Sequence, residues 1–140
     1  AVGWLMKWRE DHEIYATITE INQQFEEEGK TFRGVDYIDR FQEGIGRKTY
    51  LNKQPVALFK QGDIFFAISN TCAHQKGPLY KGKIAHGVIV CPWHYWKYRL
   101  SDGEDLWKEF CLPVYQTKTR GNILFVSIEP VNREKVKYCQ

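Results

Sequence analysis

Two short segments of the chain combine cysteine with histidine at close spacing. One reads C-A-H at residues 72–74 and the other reads C-P-W-H at residues 91–94, with 16 residues between them. Two thiolates and two imidazoles suit either a tetrahedral zinc ion or a two-iron, two-sulfide cluster that has cysteines on one iron and histidines on the other. The candidate ligands of this predicted metal centre are Cys72, His74, Cys91 and His94.

The order of the ligands favours the cluster and leaves zinc as the alternative. Common zinc fingers place two cysteines together and two histidines together. Here each segment supplies one cysteine and one histidine. This arrangement suits a centre whose two metal ions are chemically different.

The elements that must position these segments are short and β-rich. From residue 35 onward, apolar runs alternate with Gly, Asn and Asp. Turns at 61–63, 102–103 and 120–122 contain glycine, which tolerates the positive φ of tight hairpins. The pattern predicts a mostly β fold, an antiparallel barrel or sandwich. The predicted strands read V-D-Y-I-D, R-K-T-Y-L, P-V-A-L-F-K, D-I-F-F-A-I, G-V-I-V and N-I-L-F-V-S-I.

The first part of the chain has a different pattern. Apolar residues at helical spacing predict an amphipathic α-helix over residues 11–28 that stops at Gly29. We therefore divide the chain into a helical extension (1–33), a β domain (34–130) and a tail (131–140). The apolar residues of the predicted helix are Ile14, Ile18, Ile21 and Phe25.

Charge is distributed unevenly along the chain. Residues 1–30 carry three basic and seven acidic side chains, whereas residues 31–140 carry 17 basic and ten acidic ones. No Asp or Glu occurs from Ile64 through Ser101, a stretch that includes both candidate loops. We expect a docking surface for an acidic protein partner here, in preference to nucleic acid.

Length and composition exclude several classes. At 140 residues and 43% apolar composition, the chain fits one globular domain. No apolar run approaches the ~18 residues that an intact membrane span needs. Four cysteines are too few for a disulfide scaffold of this size, so a reducing compartment, the cytoplasm, is expected.

The two loops and their flanks resemble the Rieske family. T-C-A-H-Q-K-G-P-L-Y-K-G and C-P-W-H-Y-W-K-Y-R-L-S-D-G-E are similar to the cluster-binding loops of Rieske-type ferredoxins, and the similarity extends over residues 36–128. The resemblance implies a Rieske-like antiparallel β-barrel or sandwich with a small cluster-binding subdomain of two loops. It also implies a [2Fe-2S] cluster with Cys72 and Cys91 on one iron and His74 and His94 on the other.

The resemblance also indicates a class of reduction potential. Quinol-oxidising members carry two further cysteines, at the positions of Gly77 and Trp93, and a serine at the position of Trp96. Without these groups the potential is expected in the lower part of the family's range of about −150 to +300 mV. Trp93, Trp96 and Tyr98 are expected to pack beneath the second loop.

The function implied is one-electron transfer. The chain contains no G-x-G-x-x-G fingerprint and no second iron site, so we expect an electron-transfer component that does not catalyse a reaction alone. It would carry electrons from a reductase to an oxygenase or other terminal oxidoreductase. The alternatives are a Rieske domain or small subunit of a larger oxidoreductase, membrane-associated or not, and a zinc-stabilised or metal-free binding module.

Overall fold

The computed structural model describes residues 21–72, 77–93, 95–107 and 110–131. Within these residues the chain forms eleven strands and two short 3₁₀ turns, at Ile38–Arg40 and Leu79–Lys81. None of the helical segments in this part of the chain has the length and apolarity that a membrane crossing needs. The strands are β1 (Gln24–Glu27), β2 (Lys30–Tyr37), β3 (Arg47–Leu51), β4 (Gln54–Gln61), β5 (Ile64–Ser69), β6 (Lys83–Ala85), β7 (Val88–Val90), β8 (Lys97–Arg99), β9 (Val114–Tyr115), β10 (Thr117–Arg120) and β11 (Ile123–Ser127).

The prediction of a helix through residue 28 is wrong at its end, because residues 24–27 form strand β1. This strand pairs antiparallel with β2, and Phe25 stacks on its cross-strand partner Phe32 with ring centroids 5.2 Å apart. The connecting residues Glu28 and Gly29 both have positive φ, as a tight hairpin turn requires. The predicted domain boundary after residue 33 falls inside β2, and residues 11–20 of the predicted helix lie outside the described residues.

Two four-stranded antiparallel sheets form the body of the molecule. Their strand orders are β1-β2-β11-β10 and β3-β4-β5-β9. Strand β4 has apolar residues on both faces: Val56 and Leu58 pack with Leu124 and Val126 of the first sheet. Its alternate residues belong to a second apolar cluster. The continuous apolar run V-A-L-F, residues 56–59, is therefore buried on both sides.

The residues between β5 and β9 form a separate unit. β5 and β9 pair with each other, so the chain leaves the body at residue 70 and returns at residue 113. Between these points lies the three-stranded sheet β6-β7-β8. Its inner side packs on the far face of β4 and β5 through Ile89 and Tyr98. The antiparallel β architecture with a small two-loop subdomain is confirmed.

Candidate metal centre

Each of the two candidate loops is closed by a backbone hydrogen bond, and the two bonds are of the same kind. In the first, the N–H of Cys72 donates to the carbonyl of Gly77 at 3.0 Å. In the second, the N–H of Cys91 donates to the carbonyl of Trp96 at 2.7 Å. In each case the bond spans five positions and begins at the cysteine. Each cysteine is thus fixed at the start of a tight loop.

The elements beneath the loops place both cysteines in the core. Cys91 follows β7 directly, and Cys72 follows the Thr71–Pro78 bridge. Both side chains are fully buried in the apolar cluster shared with Ile89. The orientation of the two thiols is therefore set by packing before any metal binds.

The loops meet at Gly77. A Cβ at this position would lie 2.8 Å from Cys91 Sγ, closer than real Cβ contacts, and 3.1 Å from the Cβ of Trp93, which is also tight. Glycine is therefore required here by the approach of one loop to the other. This contact leaves the first loop directly against the second cysteine.

The two thiols interact with each other. Burial raises the pKa of the Cys91 thiol to about 11, a hydrogen bond from the Trp93 backbone offsets part of this, and the Cys72 side chain raises it again. Without a metal, Cys91 is therefore a neutral thiol at neutral pH. A bound cation would take up the thiolate and release the proton.

Tyr98 supports the first cysteine from below. Its hydroxyl lies 3.1 Å from Cys72 Sγ, and its side chain is fully buried. When Cys72 is a thiolate it carries no proton, so the tyrosine hydroxyl is the donor. Such a bond stabilises negative charge on the sulfur.

Asn70 anchors the first loop to the body. Its side-chain oxygen accepts the backbone N–H of Tyr80 at 2.8 Å, and its carbonyl accepts the N–H of Leu79 at 2.8 Å. Its own N–H donates to the carbonyl of Pro55 in β4. One buried residue therefore ties the chain before the loop to the chain after it.

Asp105 anchors the second loop. This carboxylate is 2% exposed and accepts the indole N–H of Trp96 at 2.8 Å and the backbone N–H of Phe110 at 3.1 Å. The Trp96 ring also packs on Trp107 and Phe110. Because the carbonyl of Trp96 closes the loop at Cys91, Asp105 positions that loop through one side chain.

The structure brings two of the four predicted ligands together. Cys72 and Cys91 meet in the core, whereas His74 and His94 lie outside the described residues. Among the residues that are described, no group of three or more potential metal ligands occurs. The expected packing beneath the second loop holds for Tyr98 and Trp96 but is wrong for Trp93, which is 51% exposed.

Two supporting residues were missed from the sequence. Asn70 and Asp105 are polar residues in turn-rich segments, where Asn and Asp are common for local reasons. The signal that separates them from ordinary turn residues is burial, which the sequence does not display. The only signal in the sequence for a supporting role of Asn70 and Asp105 is that aromatic residues lie close to the ligand motifs.

The described donor set fits a metal cluster. Two buried thiols are in contact, and the hydroxyl of Tyr98 is directed at one of them. Gly77 leaves room where the two loops meet. Together these groups form a compact site for a positively charged centre. The fold and site together define a small metal-binding domain with two loops on an antiparallel β scaffold.

The chain belongs to the Rieske [2Fe-2S] domain family, which matches residues 32–115. This membership implies a Rieske-type [2Fe-2S] cluster as the cofactor. The fold agrees with the ferredoxin of carbazole 1,9a-dioxygenase from Nocardioides aromaticivorans IC177, with a TM-score of 0.65 and 23% identity over 71% of this chain and 97% of that one.

Two curated proteins illustrate the range of relatives. The chain is 33% identical over 57 residues to the anthranilate 1,2-dioxygenase ferredoxin subunit of Burkholderia cepacia, covering 41% of this chain and 53% of that protein. It is 31% identical over 70 residues to apoptosis-inducing factor 3 of Homo sapiens, covering 50% of this chain and 12% of that protein. The match therefore spans only part of either relative.

Proposed function

We propose that this protein is a one-electron carrier whose [2Fe-2S] cluster is held by Cys72 and Cys91 on one iron and by His74 and His94 on the other. The observation that supports it most strongly is the pair of buried cysteines, which interact with each other and each begin a loop closed by the same kind of backbone hydrogen bond. In sequence, each histidine lies within the loop that its cysteine begins. When bound, such a cluster supplies a one-electron couple.

The surrounding residues adjust the potential. Tyr98 is positioned to donate a hydrogen bond to Cys72 Sγ, which favours the more negative, reduced state. Trp96, by contrast, directs its indole N–H to Asp105. This indole therefore does not replace the serine donor of the quinol-oxidising proteins. The arrangement supports a potential in the lower part of the range of about −150 to +300 mV.

The partners are protein redox components, a reductase as donor and an oxygenase as acceptor. The ferredoxin relatives named above belong to dioxygenase systems. The carboxylate-free stretch from Ile64 through Ser101 surrounds both loops and supplies the charge for docking to acidic surfaces.

A reducing compartment, the cytoplasm, suits this carrier. No disulfide joins the three cysteines in the described residues, Cys72, Cys91 and Cys111. In such a compartment, cysteine thiols stay reduced and remain able to bind a metal. Oxidation of Cys72 with Cys91 to a disulfide would remove both protein ligands of one iron.

The ligand assignment is tested by histidine variants. H74A and H94A should each lose the cluster, measured as iron and acid-labile sulfide per chain and as visible absorption. H86A is the matched control, because His86 is exposed in the turn between β6 and β7. Retention of a full cluster in H74A or H94A, or its loss in H86A, would overturn the assignment.

A further inference from the structure

The three-stranded sheet β6-β7-β8 has two faces of opposite character. Ile89 and Tyr98 stand opposite each other in the register, and both are fully buried. Because side chains alternate along a strand, the adjacent row points away from the core. That row consists of Lys83, Val90 and Lys97, paired across the three strands.

The outward row consists of two lysines, Lys83 and Lys97, with the apolar side chain of Val90 between them. Directly opposed residues have Cβ atoms about 4.5–5.5 Å apart, so the stems of Lys83 and Lys97 are about 10 Å apart with Val90 between them. Both lysines are exposed, and neither forms an ion pair within the part of the chain that is described. They are therefore available to bind carboxylates.

A groove begins at this row and reaches the metal centre. It has a volume of about 410 Å³, and its lining includes Lys81, Lys83, Val90, Cys91 and Tyr95. Lys81 and Lys83 contribute positive charge to the groove, and Val90 contributes apolar surface. Since Cys91 lies in the wall, a side chain seated in the groove would be adjacent to the candidate cluster ligands.

Tyr95 is held at the groove in an unfavourable backbone conformation. Its φ is +58°, a region that bulky residues rarely adopt, and its side chain is 74% exposed. Burial of the ring therefore does not compensate for the strain within this chain. Strain that persists at an exposed position points to a role in contact with another molecule.

The lysines around the groove form no ion pair with a carboxylate in the part of the chain that the structure describes. The sequence contains no carboxylate from Ile64 through Ser101. The next two, Asp102 and Glu104, are engaged by Arg99. The local surface is accordingly positive, and its complement is an acidic one.

We propose that the row Lys83–Val90–Lys97 and the adjoining groove bind an acidic segment of the protein redox partner. Carboxylates of that segment would pair with Lys83 and Lys97, and an apolar or aromatic side chain between them would lie on Val90 and Tyr95. The proposal rests on the proposed function for the redox nature of the partner. The binding site itself rests on register, charge and the groove.

The test uses a fluorescein-labelled synthetic peptide, E-E-F-E-E, titrated with the full chain at low ionic strength and followed by fluorescence anisotropy. The charge-reversal variant K83E/K97E should weaken binding by about tenfold or more. The matched control K30E/K53E makes the same change in net charge at the start of β2 and in the β3–β4 turn, and should alter affinity by no more than about twofold. The peptide K-K-F-K-K should not bind.

A third variant tests the aromatic contact. Y95G should weaken peptide binding several-fold while leaving the unfolding temperature unchanged or raised, because glycine accepts the positive φ without strain. Unchanged affinity in Y95G would remove Tyr95 from the site. Failure of the wild-type protein to bind E-E-F-E-E, or equal losses in K83E/K97E and K30E/K53E, would overturn the proposal.

The visible spectrum of the same samples separates this proposal from the proposed function. The two charge-reversal variants, K83E/K97E and K30E/K53E, should retain the reducible chromophore of the wild-type protein. A wild-type protein that binds the peptide but has no such chromophore would overturn the electron-carrier function and keep the acidic-segment site. A wild-type protein that has the chromophore but does not bind the peptide would leave the electron-carrier function standing and overturn the acidic-segment site.

Discussion

The body of the molecule and its metal-binding unit are stabilised in different ways. The body contains the longest strands, β2 and β4, which have eight residues each and pack apolar side chains between two sheets. The metal-binding unit has three-residue strands and depends on buried polar residues, Asn70 and Asp105, and on close contacts at Gly77. The fold therefore rests mainly on apolar packing in the body, whereas the geometry of the centre depends on a few specific hydrogen bonds.

The largest expected effect is a variant that loses the metal centre while the body of the molecule stays folded. C91S should abolish bound iron and sulfide, because a serine hydroxyl does not replace the thiolate. Hydrogen exchange should then rise in residues 77–93 and 95–107 and remain slow in β2 and β4.

The matched control for this variant is C111S. Cys111 is equally buried, but it lies outside both candidate loops. It should keep its full iron and sulfide content. A C91S protein that retains the centre, or one that unfolds throughout, would show that the two regions are not stabilised separately.

The next effect concerns the stability of the body. L58A removes a fully buried side chain between the two four-stranded sheets and should lower the free energy of unfolding by about 3 kcal/mol. L106A, at an exposed position, should cost much less. Urea denaturation measures both, and similar losses would show that the core assignment is wrong. The potential of the centre should be unchanged in L58A.

A smaller effect is confined to the metal-binding unit. Y98F removes the hydroxyl that lies 3.1 Å from Cys72 Sγ and should lower the midpoint potential by about 40 mV, equivalent to about 1 kcal/mol for one electron. Y80F is the control, since its ring packs on the same apolar cluster. Protein-film voltammetry would measure the shift. An unchanged or higher potential in Y98F contradicts a donor role for this hydroxyl.

The smallest effect lies at the edge of the body. A hydrogen bond from Lys118, aided by the charges of Lys118 and Arg120, holds the pKa of Glu27 below its ordinary value of 4.5. A lowered folded-state pKa stabilises the fold above the ordinary value, and this contribution is lost as pH falls through the folded-state pKa.

E27Q should therefore unfold at slightly lower temperature than wild type at neutral pH. The two transitions should converge in acid and also at high salt, since the site is exposed. Thermal unfolding followed by circular dichroism measures the difference. A gap that widens on acidification would reverse the assigned sign.

The sequence predicted the β architecture and its main turns but not strand β1. The predicted turns at 61–63 and 120–122 do connect β4 to β5 and β10 to β11. They could be predicted because Gly62 and Gly121 supply the positive φ of such hairpins, which is a local signal. Phe25 fits a helical stripe and a strand equally well, and only its partner Phe32 decides between them. Tertiary pairing overrode the local pattern there.

For the centre, sequence spacing identified the two loops and the cysteines that meet in the core. It could not identify Asn70 and Asp105, whose role arises from burial among residues distant in sequence. It also placed Trp93 in the interior, whereas that ring is exposed beside Gly77. Ligand chemistry is local, but the packing that orients ligands is not.

The central claim is tested most directly by analysing iron, acid-labile sulfide and zinc in freshly purified protein, with the visible spectrum before and after dithionite reduction. The account predicts two irons and two sulfides per chain, no stoichiometric zinc, and bleaching on reduction. One zinc per chain and a colourless protein would contradict it and leave a zinc-stabilised binding module.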